Sequence, residues 1–175
     1  LPVVMESIWS ITPANLKVTG GSYIGVYDGN PHSPVVSAEH IGEDTGHTHH
    51  IDIYYSTEGP LDVSNYSTRG SLTPVSRTDV CDVTVYYYIV TEHTNPASGS
   101  VRINITPKSI VGANVVLGED PTYTGGDVSI DVESITIEGL TLKPSDYTLT
   151  QNTRVAVGTY KVSITGTGNF HGVIE

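Results

Sequence analysis

One cysteine, one phenylalanine, one tryptophan and one methionine are spread over 175 residues. With Cys81 alone no intrachain disulfide can form, which excludes a disulfide-stapled scaffold and leaves stability to hydrophobic cores or another crosslink. Basic residues are also few: eight against nineteen acidic ones give a formal net charge of −11. That balance repels phosphate backbones and anionic lipid surfaces, so no nucleic-acid partner is expected. No apolar run reaches the roughly 20 residues that span a bilayer, so no membrane insertion of this segment is expected either. Residues 1–6 lack the basic and long apolar regions of a signal peptide. Either the protein stays inside the cell or this is part of a longer exported chain. Charged residues are 15% of the chain, and no stretch carries a helical period.

What is abundant is the chemistry of short strands and tight turns: Gly, Ser, Thr, Val and eleven tyrosines. The chain also repeats itself. Residues 83–99 are re-spelled at 157–172, with Tyr86/Tyr160, Tyr88/Val162, Val90/Ile164, Thr91/Thr165 and Asn95/Asn169 in one register. An earlier echo matches the turn Tyr27–Asn30 to Tyr123–Gly126. Internal duplication of this kind predicts tandem modules. The boundary falls where an alternating strand, with Val101, Ile103 and Ile105 inward, meets Pro107, which cannot donate to a ladder. The expectation is an all-β chain: an enlarged N-terminal β-module at 1–106 and a regular C-terminal one at 107–175. A short Pro-containing joint at 106–109 is expected to link them end to end and restrict bending.

The copies are unequal. The first is about 22 residues longer between equivalent markers, and the surplus is assigned to loops in the His-rich stretch 40–50 and in 56–79. Its repeated strand is apolar on both faces, with Val83, Val85, Tyr87 and Ile89 on one and Tyr86, Tyr88 and Val90 on the other. An inserted loop, the N-terminal segment with Trp9 or a partner is expected to cover the face of Val83, Val85, Tyr87 and Ile89. In the second copy Tyr160, Val162 and Ile164 should face inward, and Thr159, Lys161, Ser163 and Thr165 outward. The first copy continues after Gly99 into a full strand, whereas only Val173, Ile174 and Glu175 follow Gly172. The closing strand is therefore expected to be cut short or supplied from elsewhere, which leaves an open edge.

In order along the chain stand Tyr27-x-Gly29, Ile105-Thr106-Pro107-Lys108, Gly139-Leu140-Thr141-Leu142, Asp146-Tyr147-Thr148, Val157-Gly158-Thr159-Tyr160 and Gly166-x-Gly168-Asn169-Phe170. With these the sequence resembles the tandem MBG/YDG-type and bacterial immunoglobulin-like repeats of large bacterial surface proteins. The likeness is closest over 105–172 and also covers 27–30 and 83–107; the first 20 residues and the two inserts lie outside it. The resemblance implies two small β-sandwich (immunoglobulin-like) or mostly-β grasp-like modules, a cell-surface or cell-wall location, a spacer or adhesive role and no catalysis. The implied partners are neighbouring repeats of the same chain and a host or cell-surface glycan or protein. In the two Tyr-x-Gly motifs, Gly29 and Gly125 should adopt positive φ and the tyrosines should pack as lids.

Two clusters have binding chemistry. His47, His49 and His50, with His40, Glu43 and Asp44 close in sequence, have the composition of a metal site, since imidazole suits zinc, copper or nickel; the alternative is a polar loop. Tyr54, Tyr55 and Tyr87, with Tyr66, Tyr86 and Tyr88, offer rings of the kind that grip sugars or proteins from a flat sheet; the alternative is core and rim packing. The acidic turns at 62–65 and 119–121 lack the spacing of a calcium loop. Cys81 has no nucleophile elbow or base pattern and reads as a small, partly buried residue. Lys17, Lys108, Lys143 and Lys161 are the possible donors for an isopeptide crosslink. No cofactor is expected. The leading expectation is a non-catalytic stalk, spacer or adhesion segment, and the alternative a glycan- or ligand-binding module using the Tyr-rich first domain.

Overall fold

The structure, a computed structural model, describes residues 10–41 and 50–175. It is predominantly β, with 49% of the described residues in strands or isolated bridges, as the turn-rich, β-branched composition predicts. The strands are β1 (Leu16–Gly21), β2 (Tyr23–Val26), β3 (Val35–His40) and β4 (Ile51–Ser56), followed after a single helical turn, α1 (Tyr66–Arg69), by β5 (Cys81–Thr91) and β6 (Ala97–Thr106). Then come β7 (Lys108–Ser109), β8 (Asn114–Leu117), β9 (Val128–Ser129), β10 (Val132–Ile137), β11 (Leu140–Thr141) and β12 (Tyr147–Thr150). The last are β13 (Thr153–Arg154), β14 (Ser163–Gly166), β15 (Phe170–His171) and β16 (Val173–Ile174).

The pairings recur around the repeated sequence. β1 pairs antiparallel with β3, and β8 with β10. The repeated strand pairs antiparallel with an earlier strand in both copies: β5 with β4, setting Val90 opposite Asp52, and β14 with β12, setting Ile164 opposite Leu149. On its other side each meets a later strand, β6 beside β5 and β16 beside β14. Even the segments that lead into each copy match. Ala14 bridges in parallel to Thr94, and β7 runs parallel to β15 with Lys108 opposite Phe170. Each of these leading segments follows an Ile-Thr-Pro triplet, at 11–13 and 105–107. The triplet at 11–13 lies in the stretch that the sequence resemblance leaves out, and only its matching strand partner gives it meaning. Other strand pairs stand outside this correspondence: β2 runs parallel to the end of β6, with Tyr23 opposite Ile103 and Val26 opposite Thr106, while β10 pairs antiparallel with β11 and β9 with β13.

By contacts the chain divides into two compact units. The first comprises Leu1–Ser22, Ser33–Val75 and Val83–Arg102; the second comprises Tyr23–His32, Ser76–Asp82 and Ile103–Glu175. The core of the first holds Tyr55, Leu61, Val85, Tyr88, Ile89 and Val101, all buried. In the second, Ile110, Ile135, Leu142, Ile164 and Phe170 form the buried cluster, with Tyr27, Leu140, Tyr147 and Leu149 packed around it.

β6 alternates as its sequence demands: Val101, Ile103 and Ile105 are buried while Arg102 and Thr106 are exposed. Both faces of β5 are covered. Val85 and Ile89 are fully buried on one face and Tyr88 is buried on the other, where the ring of Tyr66 from the 56–79 insert stacks on it at 5.0 Å. Trp9 lies outside the described residues. In the second copy the strand expected from Thr159 begins only at Ser163. Ile164 is buried as expected, but Tyr160 is about half exposed and lies outside any strand.

Candidate functional site

The tyrosines are placed by the alternation of β4 and β5. Tyr54 lies opposite Tyr88 and Tyr55 opposite Tyr87, so Tyr54 and Tyr55, being sequence neighbours, project to opposite faces. On the first face Tyr54 meets Tyr66 edge-on at 4.9 Å, and Tyr66 stacks on Tyr88. On the second, Tyr55 is 7% exposed and burial raises its phenol pKa above the ordinary value; burial, followed by neighbouring Tyr66 and Asp62, does the same at Tyr88. The Tyr87 ring lies over Gly99 of β6, where a Cβ would run into the ring, and close to Gly20 of β1. These rings are spent largely on packing.

His47 and His49 lie outside the described residues. His50 sits at the surface with its Nε2 2.8 Å from Asp52 Oδ1, and among the described residues no three His, Cys, Asp or Glu side chains come together as a metal site. Cys81 is a free, partly buried thiol. Of the candidate crosslinking lysines, Lys17 pairs with Glu39 at 3.1 Å and Lys108 with Glu138.

A polar cluster that the sequence pattern does not single out surrounds the first Tyr-x-Gly turn. Asp28 Oδ1 accepts from the Asn30 backbone N–H at 2.9 Å and lies 2.9 Å from His32 Nε2, while the Tyr23 ring stacks on His32 at 3.9 Å. The Asn30 amide, then the His32 contact, pull the Asp28 carboxyl down to about 2. Gly29 sits at φ +78° and its counterpart Gly125 at φ +84°, the left-handed region both turns require. The tyrosines differ. Tyr27 meets Phe170 edge-on at 5.4 Å, whereas Tyr123 is 59% exposed. The repeated asparagines differ as well. Asn169 Oδ1 accepts from Val80 N–H and its Nδ2 donates to Asp79, both at 2.8 Å; Asn95 Nδ2 reaches Asn15 at 3.1 Å.

The second unit holds a cleft of about 350 Å³. One wall is Leu117, Asp120, Pro121 and Tyr123, and the other is 154–162, with β9 residue Val128 and Gln151 and Asn152 between them. The second wall is held by local contacts: Tyr160 Oη donates to the Ala156 carbonyl at 2.9 Å, and the Arg154 guanidinium lies 5.0 Å over the Tyr160 ring. Val155, Val157 and Tyr160 present apolar surface here, Val157 at 83% exposure. The cleft thus combines apolar walls with irregular backbone. Such backbone carries N–H and C=O groups that need partners, the requirement a strand meets. Protein-family profiles, curated proteins and solved structures were all compared with the chain, and none matches it.

Proposed function

We propose that this chain is a non-catalytic pair of β-modules from a bacterial cell-surface protein, and that it serves as a stalk, spacer or adhesion segment. The observation that carries the reading is the recurrence of pairings: β1·β3 with β8·β10, β4·β5 with β12·β14, β5·β6 with β14·β16, and the two parallel pairings that follow Ile-Thr-Pro. A duplicated unit that repeats backbone connectivity while varying side chains suits a part whose work is repetition and surface rather than a single pocket. The acidic balance keeps an exposed segment soluble.

The test is localisation. Antibodies raised against the chain should label intact, unpermeabilised cells of the source organism, and proteases added outside should remove the signal. Labelling confined to lysed cells would overturn the surface assignment. The duplication is tested by force spectroscopy of the chain held at its two ends, which should show two unfolding events whose contour lengths sum to that of the chain.

A further inference from the structure

Of the eleven tyrosines only Tyr123 and Tyr160 remain exposed, at 59% and 47%, and both line the cleft of about 350 Å³ in the second unit. They stand on opposite walls. Tyr160 is held in place: its Oη donates to the Ala156 carbonyl, the Arg154 guanidinium lies over the ring, and Gly158 leaves room for it, since a Cβ there would sit 3.0 Å from the Oη. A ring ordered in advance loses little freedom when a ligand arrives.

The polar side chains of the cleft are left to other partners. Among the described residues no protein hydrogen bond engages the side chain of Asp120, Gln151, Asn152 or Lys161. Gln151 takes φ +62°, a left-handed backbone that glycine adopts at no steric cost, so a long amide stands at the cleft against the preference of its own backbone. The bends at 155–158 add backbone N–H and C=O groups outside any strand.

Exposed rings beside unpaired carboxylate and amide groups, in a cleft of small-molecule size, suit a sugar. A pyranose offers C–H faces to the rings, and its hydroxyls both donate and accept, as a carboxylate, two amides and unpaired backbone groups together require. An anionic ligand is disfavoured. Asp120 lines the cleft, the chain carries a formal −11, and Arg154 is engaged with the Thr153 carbonyl at 2.7 Å and with the Tyr160 ring. An extended peptide would meet bends at 155–158 rather than an open strand edge. We infer that the cleft binds a neutral saccharide, a pyranose unit laid against Tyr123 and Tyr160 with its hydroxyls paired to Asp120, Gln151 and Asn152. This site goes beyond the surface reading and does not rest on it.

The test is an amide NMR titration of the whole chain with cellotetraose, maltotetraose, mannotetraose and tetra-N-acetylchitotetraose, alongside tetragalacturonate and a Thr-Val-Thr-Val-Thr peptide. At least one neutral sugar is expected to shift amides at 119–123 and 151–162, with the millimolar affinity of a small ligand in an open cleft. Tyr123→Ala, which removes an exposed ring, should weaken binding roughly tenfold. Gln151→Gly should also weaken it while Tm holds or rises, since glycine relaxes the left-handed backbone; a residue that only shaped the turn would leave affinity unchanged. No shift with any neutral sugar would overturn the inference, as would shifts centred outside the cleft or undiminished affinity in both variants. Shifts with tetragalacturonate alone would assign the cleft to anions, and shifts with the peptide alone to an added strand; either overturns the neutral saccharide. None of these outcomes bears on the localisation experiment, so the two readings fail separately.

Discussion

At the scale of single residues, the repeated positions have been put to different uses. Asn169 fills two needs at once, accepting from the Val80 N–H and donating to Asp79, whereas Asn95 makes an exposed bond to Asn15. Asn169→Ala leaves a partly buried amide without its acceptor and should cost about 1–3 kcal/mol, while Asn95→Ala should cost well under about 1 kcal/mol. Urea denaturation of the two variants checks this, and equal losses would refute it. Gly99 is fixed by a ring rather than by its φ: a Cβ there runs into Tyr87. Gly99→Ala should therefore destabilise by roughly 1–3 kcal/mol, and Tyr87→Ala in the same chain should relieve most of that clash. A double-mutant cycle measures the coupling, and additive effects would count against it. Titration follows burial. Tyr55 and Tyr88 have raised phenol pKa values, so their contribution is full below the ordinary value of about 10 and is lost as pH rises through the higher folded values. Denaturation midpoints should begin to fall near pH 10, and phenolate absorbance should lag for two of the tyrosines until unfolding. The sign reverses at Asp28, whose carboxyl is lowered to about 2: its contribution is present above about pH 4 and is lost as pH drops toward 2.

At the scale of elements, what could be read in advance followed from period and punctuation. Val101, Ile103 and Ile105 alternate up to Pro107, and β6 ends one residue before that proline. The face of Val83, Val85, Tyr87 and Ile89 was the one expected to need a cover; Val85 and Ile89 there are fully buried and the Tyr87 ring lies against Gly99, while the 56–79 insert packs Tyr66 of α1 on Tyr88 of the opposite face. That the insert would include a helical turn was not readable, because four residues carry no period and α1 rests on tertiary packing. Tyr66→Ala should therefore cost about 1–3 kcal/mol, less than a fully buried aromatic because the Tyr66 ring is only partly buried, and should speed hydrogen exchange across β4 and β5. A loss under about 1 kcal/mol would show that the insert does not support that opposite face. Alternation misled at Tyr160. Its pattern matches Tyr86, but pattern alone does not make a strand where the neighbouring ladder is missing, and the chain bends from Val155 to Gly158 instead. Of the binding candidates, sequence located the tyrosines on strands but gave no register, and register is what puts Tyr54 and Tyr55 on opposite faces. The cleft was invisible in advance because its walls are separated by some 30 residues and neither is regular.

For the whole molecule, charge is the property that acts everywhere at once. A formal −11 on 175 residues stores self-repulsion in the folded chain that the expanded unfolded chain relaxes. At low ionic strength Tm should therefore rise as NaCl is added, since a Debye length of about 10 Å at 0.1 M shrinks to about 3 Å at 1 M and screens the same repulsion. Scanning calorimetry at about 10 mM and about 0.5 M NaCl checks this. A Tm that stays level or falls with added salt would show that self-repulsion is not what limits the stability of this acidic chain.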